Sequence, residues 1–219
     1  MTEQPKIYLV HALEVSMAPV AASFRTQWPQ ARIAHLLDNS LFSDFGDDER
    51  LTNAMIERFR MIGRYCAFAG ADAILFTCSA FGPAIDAVKA ELTIPVLKPN
   101  EALYDAMLAR RGRIALLATF APSLPSMLSE IGTMARAQGV HVQVDTHLVE
   151  GALDALLANR PDEHHQRIAD AAAGFAGHDA VAFAQFSMAP ARPLAQSMTR
   201  IPIMTTPDSA IEKLRTLLA

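Results

Sequence analysis

Cysteine is scarce in this chain: 219 residues contain two, Cys66 and Cys78. They could close one bridge at most, which excludes a disulfide-stapled fold, and they read as free thiols of a reducing compartment. Long hydrophobic runs are also missing. No stretch approaches the roughly eighteen apolar residues that a spanning helix needs, and Met1 to Lys6 carries no apolar secretory core. The cytoplasm is therefore the expected location. Neither sign of charge dominates, with 19 basic against 23 acidic residues and a formal net charge of −4. Without a basic run, neither nucleic acid nor a membrane surface is an expected partner. A glycine-rich phosphate loop is absent as well. So is a metal-ligand spacing, because the adjacent His164 and His165 would point apart on a helix and are expected on a solvated face.

What is present is an ample supply of core. Hydrophobic residues make up 51% of the chain, enough for one large domain or two small ones. The most informative stretch runs from Gly70 to Val88. A short apolar run, Ala73 to Phe76, reads as a central parallel strand. The polar turn Thr77-Cys78-Ser79 follows, and then Gly82-Pro83 open a helix. A thiol placed between a strand end and a helix start is expected to feel the positive end of the helix dipole, which favours thiolate. Cys66, by contrast, falls on the apolar side of an amphipathic helix with Met55, Phe59 and Ile62 and is expected to be a small core residue.

The rest of the chain alternates in the same way. Ile7 to Val10 is a strand ending at His11; Val20, Phe24 and Trp28 mark a helix; Ile33 to Leu37 is a second strand, closed by the polar turn Asp38-Asn39-Ser40. The acidic segment Asp44 to Glu49 reads as a loop. Strand Ile94 to Leu97 and a helix from Asn100 to Leu108 complete the first series. At Arg113 the pattern restarts: strand Ile114 to Ala118, helix Leu124 to Gln138, strand Val140 to Val144, helices near 151–158 and 162–176, strand Ala180 to Ala184, strand Ile201 to Met204, and a last helix. One offset relates the two series. Ile7 and Ile114, Asp72-Ala73 and Asp179-Ala180, and Ile94-Pro95 and Ile201-Pro202 are each separated by 107 positions.

The expected fold is thus α/β, with two pseudo-symmetric lobes, each a roughly four-stranded parallel sheet flanked by helices. The first lobe is assigned 1–97 plus 205–219 and the second 98–204. Right-handed crossovers place all polar strand ends on one edge of each sheet, so a site is expected between the lobes. The groups at those edges are His11, Ser16, Asn39, Thr77, Cys78 and Ser79 in the first half. Thr119, Ser123, Gln185, Ser187, Thr205 and Thr206 stand there in the second. Rich in hydroxyls and poor in charge, this set suits a small carboxylate. Ser16, Ser123, Thr205 and Thr206 read equally well as helix caps.

Phe76-Thr-Cys-Ser79, Leu117-Ala-Thr119 with Ser123, and Ala184-Gln-Phe-Ser-Met188 carry a resemblance to the aspartate/glutamate racemase superfamily. That superfamily includes hydantoin racemases, maleate isomerases and arylmalonate decarboxylases, and the resemblance covers nearly the whole chain. It implies a cofactor-independent enzyme acting at the carbon alpha to a carboxylate of an amino acid, hydantoin or small dicarboxylate. Cys78 matches the first-lobe cysteine as base or nucleophile. Ser79, Thr119 and Ser123 match carboxylate-binding positions. Gln185 stands where the second-lobe cysteine belongs, so this is a single-thiol variant, and His11 replaces an acidic residue at the end of the first strand. Its imidazole is expected to orient Cys78, relay its proton or stabilise its thiolate. Ser16, Asn39, Thr77, Gln185, Ser187 and Thr205 complete the expected substrate-binding set. No cofactor or metal is implied. An arylmalonate-type decarboxylase and a non-catalytic carboxylate binder are the alternatives, and homo-oligomerisation is left open.

Overall fold

The computed structural model describes residues 4–45 and 51–219. It contains two four-stranded parallel sheets, with strand orders β2-β1-β3-β4 and β6-β5-β7-β8. The chain divides into two compact units, residues 1–102 with 210–219 and residues 103–209.

In the first unit, β1 (Lys6–His11) lies between β2 (Arg32–Leu37) and β3 (Ala73–Phe76), and β4 (Val96–Leu97) forms the far edge. Helices α1 (Met17–Gln27), α2 (Ser40–Phe45), α3 (Asn53–Phe68) and α4 (Gly82–Glu91) connect them. α5 (Glu101–Arg110) leads to the second series: β5 (Arg113–Ala118), α6 (Leu124–Gln138), β6 (Gln143–Leu148), α7 (Ala152–Leu157), α8 (Pro161–Ala173), β7 (Ala180–Phe183), α9 (Arg192–Met198), β8 (Ile203–Thr205) and α10 (Thr206–Leu217). The expected loop at Asp44 to Glu49 begins instead as the end of α2, and 46–49 lie outside the described residues.

The central strands β3 and β7 are apolar at every position because both faces are covered. All four residues of β3 and all four of β7 are buried. In β5, Ala115 and Leu117 pack on Ile168, Ala169 and Ala172 of α8, whereas Ile114, Leu116 and Ala118 pack on Leu103, Tyr104, Met107, Met127 and Ile131 of α5 and α6. Alternate residues of a strand point to opposite faces, so one strand serves two cores. In the first unit Tyr8, Val10, Ile74 and Phe76 join Phe59, Phe81, Ile85 and Val88. Gly63 lets α3 and α4 approach closely, since a Cβ there would fall 2.5 Å from Val88 Cγ1.

The 107-residue offset is physical. Ile7 pairs with Ala73 and Ile114 with Ala180; Ile74 pairs with Val96 and Val181 with Ile203. The repeated aspartates have one job, for Asp72 and Asp179 each accept the backbone N–H that opens the neighbouring strand, at Lys6 and Arg113, both at 2.7 Å. β6 departs from the offset and from the expected strand at 140–144. It starts at Gln143, because α6 has 15 residues where α1 has 11 and ends on Gly139 in the left-handed conformation (φ 63°). Among the described residues no helix is long and apolar enough to cross a membrane.

Candidate functional site

Parallel strands bring their carboxyl ends to one edge. In the first unit this edge carries the ends of β1 and β3, where Thr77 N–H extends the ladder to the Val10 carbonyl (3.0 Å). His11 is fully buried there. Its Nδ1 lies 2.9 Å from both Ser16 Oγ and Thr77 Oγ1, and those two hydroxyls are 2.9 Å apart. On the other side of the ring, Nε2 lies 2.9 Å from Nδ1 of His35, with the rings stacked at 5.1 Å and 24°. In the β1–β2 register Leu9 faces His35 and His11 faces Leu37, which puts both imidazoles on one face of the sheet. Burial first, and then the neighbouring His35, push the His11 pKa down to about 4, so the ring is neutral at pH 7. Both ring nitrogens of His11 are thus engaged by groups other than Cys78.

Cys78 itself is half-buried and extended (φ −120°, ψ 122°), followed by a 3-10 turn, Ser79–Phe81, and then α4 with Pro83 in its first turn. With His11, Val10, Ala12, Leu41, Phe59, Phe76 and Phe81 it lines a narrow crevice, too tight for a water molecule. Burial pushes its thiol above the ordinary value, partly offset by a hydrogen bond from the Ala80 N–H. This corrects the expectation of a thiolate-favouring turn. A helix dipole acts within about one turn of the terminus, and α4 begins four positions beyond Cys78. Desolvation therefore wins, and the resting group is a neutral thiol. Cys66, as expected, is fully buried, and its burial pushes it up to about 12.

Ser79 and Asn39 are exposed. Beside Asn39, Asp38 accepts from Ser40 Oγ (2.7 Å) and pairs with Arg58 (2.5 Å), which also holds Asp44 (2.5 Å). Burial opposes ionisation of Asp38, but the Ser40 and Arg58 hydrogen bonds and the Arg58 charge hold its pKa below the usual carboxylate value. His35 and Arg58 escaped the sequence reading, and Asp38 entered it only as part of the polar turn. The available signal was a histidine inside the otherwise apolar Ile33 to Leu37.

In the second unit the equivalent edge is tied differently. Gln185, the repeat mate of Cys78, accepts the Thr119 backbone N–H on Oε1 (3.0 Å) and donates from Nε2 to Ser123 Oγ (3.3 Å). Ser123 Oγ donates to the Phe120 carbonyl at 2.7 Å, as its mate Ser16 does to the Leu13 carbonyl at 3.0 Å. Thr119, Thr205 and Thr206 are buried. Thr205 Oγ1 accepts the Asp208 N–H (3.3 Å), and Thr206 Oγ1 donates to the Phe183 carbonyl (2.9 Å). The Ser187 carbonyl lies 3.3 Å from Nε2 of His164, whose Nδ1 lies 2.7 Å from the Ala152 carbonyl. His164 is thus fully buried rather than on the expected solvated face, and a backbone carbonyl accepts its ring N–H. Among the described residues no group of three or more His, Cys, Asp or Glu is placed to hold a metal ion.

The Gln185 clamp makes a testable energetic claim. Gln185→Ala leaves the buried Thr119 N–H without its acceptor and should cost about 1–3 kcal/mol, read as a lower urea midpoint. Gln185→Glu keeps an acceptor and should lose less; equal losses would show that the bond to Thr119 is not the term that matters.

No curated protein matches the chain. Among solved structures it is similar to an aspartate racemase homologue from Pyrococcus horikoshii OT3, at 14% identity and TM-score 0.72 over 98% of this chain and 99% of the other. It is also similar to allantoin racemase from Klebsiella pneumoniae, at 17% identity and TM-score 0.67 over 98% and 88%. A mutant of arylmalonate decarboxylase in a sulfate-associated form shares the fold at 14% identity and TM-score 0.67 over 98% and 93%. Residues 43–176, a span that includes Cys78, Thr119 and Ser123, match the Asp/Glu/Hydantoin racemase family model. The two-sheet fold and this match over more than half of its length agree: the chain belongs to the Asp/Glu/hydantoin racemase family.

Proposed function

We propose that this protein is a cofactor-independent racemase or isomerase acting at the carbon alpha to a carboxylate, with Cys78 as its proton-transferring thiol. The substrate class is an amino acid, a hydantoin or a small dicarboxylate. The observation that carries this reading is the place of Cys78, inside the family-matched span and in the turn between β3 and α4. As a thiolate, Cys78 would take the alpha proton, leaving the electron pair in an enediolate; return of a proton to that carbon completes the exchange. The exposed Ser79 and the backbone amides of the following 3-10 turn are the donors assigned to the developing negative charge.

The neutral resting thiol favours a second reading, decarboxylation. A malonate-type substrate would lose CO₂ to leave the same enediolate with no base required. The Cys78 S–H would then deliver its proton to carbon and recover one from solvent.

Both readings are tested by incubating the protein in deuterated water with amino acids, hydantoins, dicarboxylates and aryl- and alkylmalonates. Cys78-dependent deuterium at the alpha carbon without loss of CO₂ supports the first, and CO₂ release with a deuterated product supports the second. No exchange or CO₂ from any compound, together with ligands that stabilise wild type and Cys78→Ala equally, would leave a non-catalytic carboxylate binder.

A further inference from the structure

We propose that His35 is a positioning residue for Cys78 that acts through His11. The inference rests on the reading of Cys78 as the reactive thiol, and the proton inventory of the network carries it. Ser16 Oγ gives its one proton to the Leu13 carbonyl at 3.0 Å, whereas the Thr77 proton has three acceptors in reach: the Val10 carbonyl at 3.3 Å, and Ser16 Oγ and His11 Nδ1 at 2.9 Å each. The hydroxyls therefore do not by themselves fix the proton on His11. His11 is neutral and therefore has a single N–H. A donor at Nε2 places that hydrogen on Nδ1, where Ser16 Oγ and Thr77 Oγ1 each lie at 2.9 Å. The group that meets Nε2 is Nδ1 of His35 at 2.9 Å, and its N–H is that donor. His35 thus selects the tautomer of His11, and that tautomer holds Thr77, the residue directly before Cys78.

Comparison of the two units shows why an imidazole pair is needed. In the second, the side chain at the Cys78-equivalent position ties the strand-end loop itself, because Gln185 reaches both Thr119 and Ser123. Cysteine has no amide and cannot make such a tie. In the first unit the tie to Ser16, the repeat mate of Ser123, passes instead through His11, braced by His35 from the edge strand. Position 78 is thereby left to a thiol. His35 is exposed at its outer side, so its replacement leaves the core unchanged.

The test uses the full chain with His35→Leu and His35→Asn; the asparagine amide nitrogen can occupy the place of Nδ1 and keeps a donor. Nitrogen-15 NMR should show His11 protonated on Nδ1 in wild type and His35→Asn, and a tautomer mixture in His35→Leu. The iodoacetamide reaction rate of Cys78 should change about threefold or more in His35→Leu and return toward wild type in His35→Asn, a range set by the loss of one hydrogen bond. Buried Cys66 does not compete for the reagent. With a substrate in hand, His35→Leu should lower kcat about three- to tenfold with little change in KM. These NMR and alkylation changes in a protein that turns over nothing would support the positioning role while the enzyme reading fails. An unchanged His11 tautomer, an unchanged Cys78 rate in His35→Leu, or no rescue by asparagine would overturn the proposal.

Discussion

Cys78→Ser is expected to lower turnover by at least about 10²-fold, the scale that a positioned acid or base contributes. The folded state should remain, because the side chain is half-buried and serine is slightly smaller and able to accept the Ala80 N–H. A serine hydroxyl ionises far less readily than a thiol, so it replaces neither a base nor an acid. The pH profile then separates the two chemistries. Burial raises the Cys78 pKa, which means that thiolate is a minor species below about pH 8.5, the ordinary thiol value. If thiolate is the base, kcat/KM rises about tenfold per pH unit through neutrality and levels off only at alkaline pH. If the neutral thiol is the donor, kcat/KM is flat through neutrality and falls on the alkaline side. A Cys78→Ser protein with turnover within twofold of wild type would remove the thiol from the chemistry.

The sequence made legible what local pattern and repetition encode. Three of the four strand pairs follow the 107-residue offset, and the Thr77-Cys78-Ser79 turn lies where a short apolar run before Gly82-Pro83 placed it. Other features depend on distant packing and left little local trace. β6 begins at Gln143 rather than Val140 because α6 is longer by one turn. α2 and α9 have six and seven residues, too short for periodicity to declare them. The Cys78 environment was misjudged because the helix dipole is local and visible in sequence, whereas the apolar wall of Leu41, Phe59 and Phe81 that desolvates the thiol comes from three separate segments. His164 looked solvated for a related reason: helix polarity predicts exposure unless carbonyls such as Ala152 and Ser187 are brought to it. His35 was hidden because a lone polar residue in an edge strand reads as a solvent-facing one. Fold and family can thus be read from repeats and motifs, while proton positions follow from tertiary contacts.

Acidification from pH 7 to pH 4 is expected to remove up to about 3 kcal/mol of stability through His11 alone. Its pKa is about 4 in the fold and about 6.5 in an unfolded chain. Between those values the unfolded state binds the extra proton, so stability is full above about pH 6.5 and declines as the pH falls toward 4. His35, whose partial burial also lowers its pKa, acts in the same direction. Asp38 adds a separate loss at lower pH, since its carboxylate is held below the ordinary value. Two neutral rings share one hydrogen bond, and a second proton on His11 would fall on the nitrogen that faces His35. Urea midpoints at pH 7, 5.5 and 4.5 should fall more steeply for wild type than for His11→Asn, which retains a donor toward Ser16 and Thr77 without a titrating ring. The variant should be less stable at pH 7, because it offers His35 no ring nitrogen, and should approach wild type as the pH falls. Parallel curves would mean that the buried imidazole does not set the acid sensitivity of the fold.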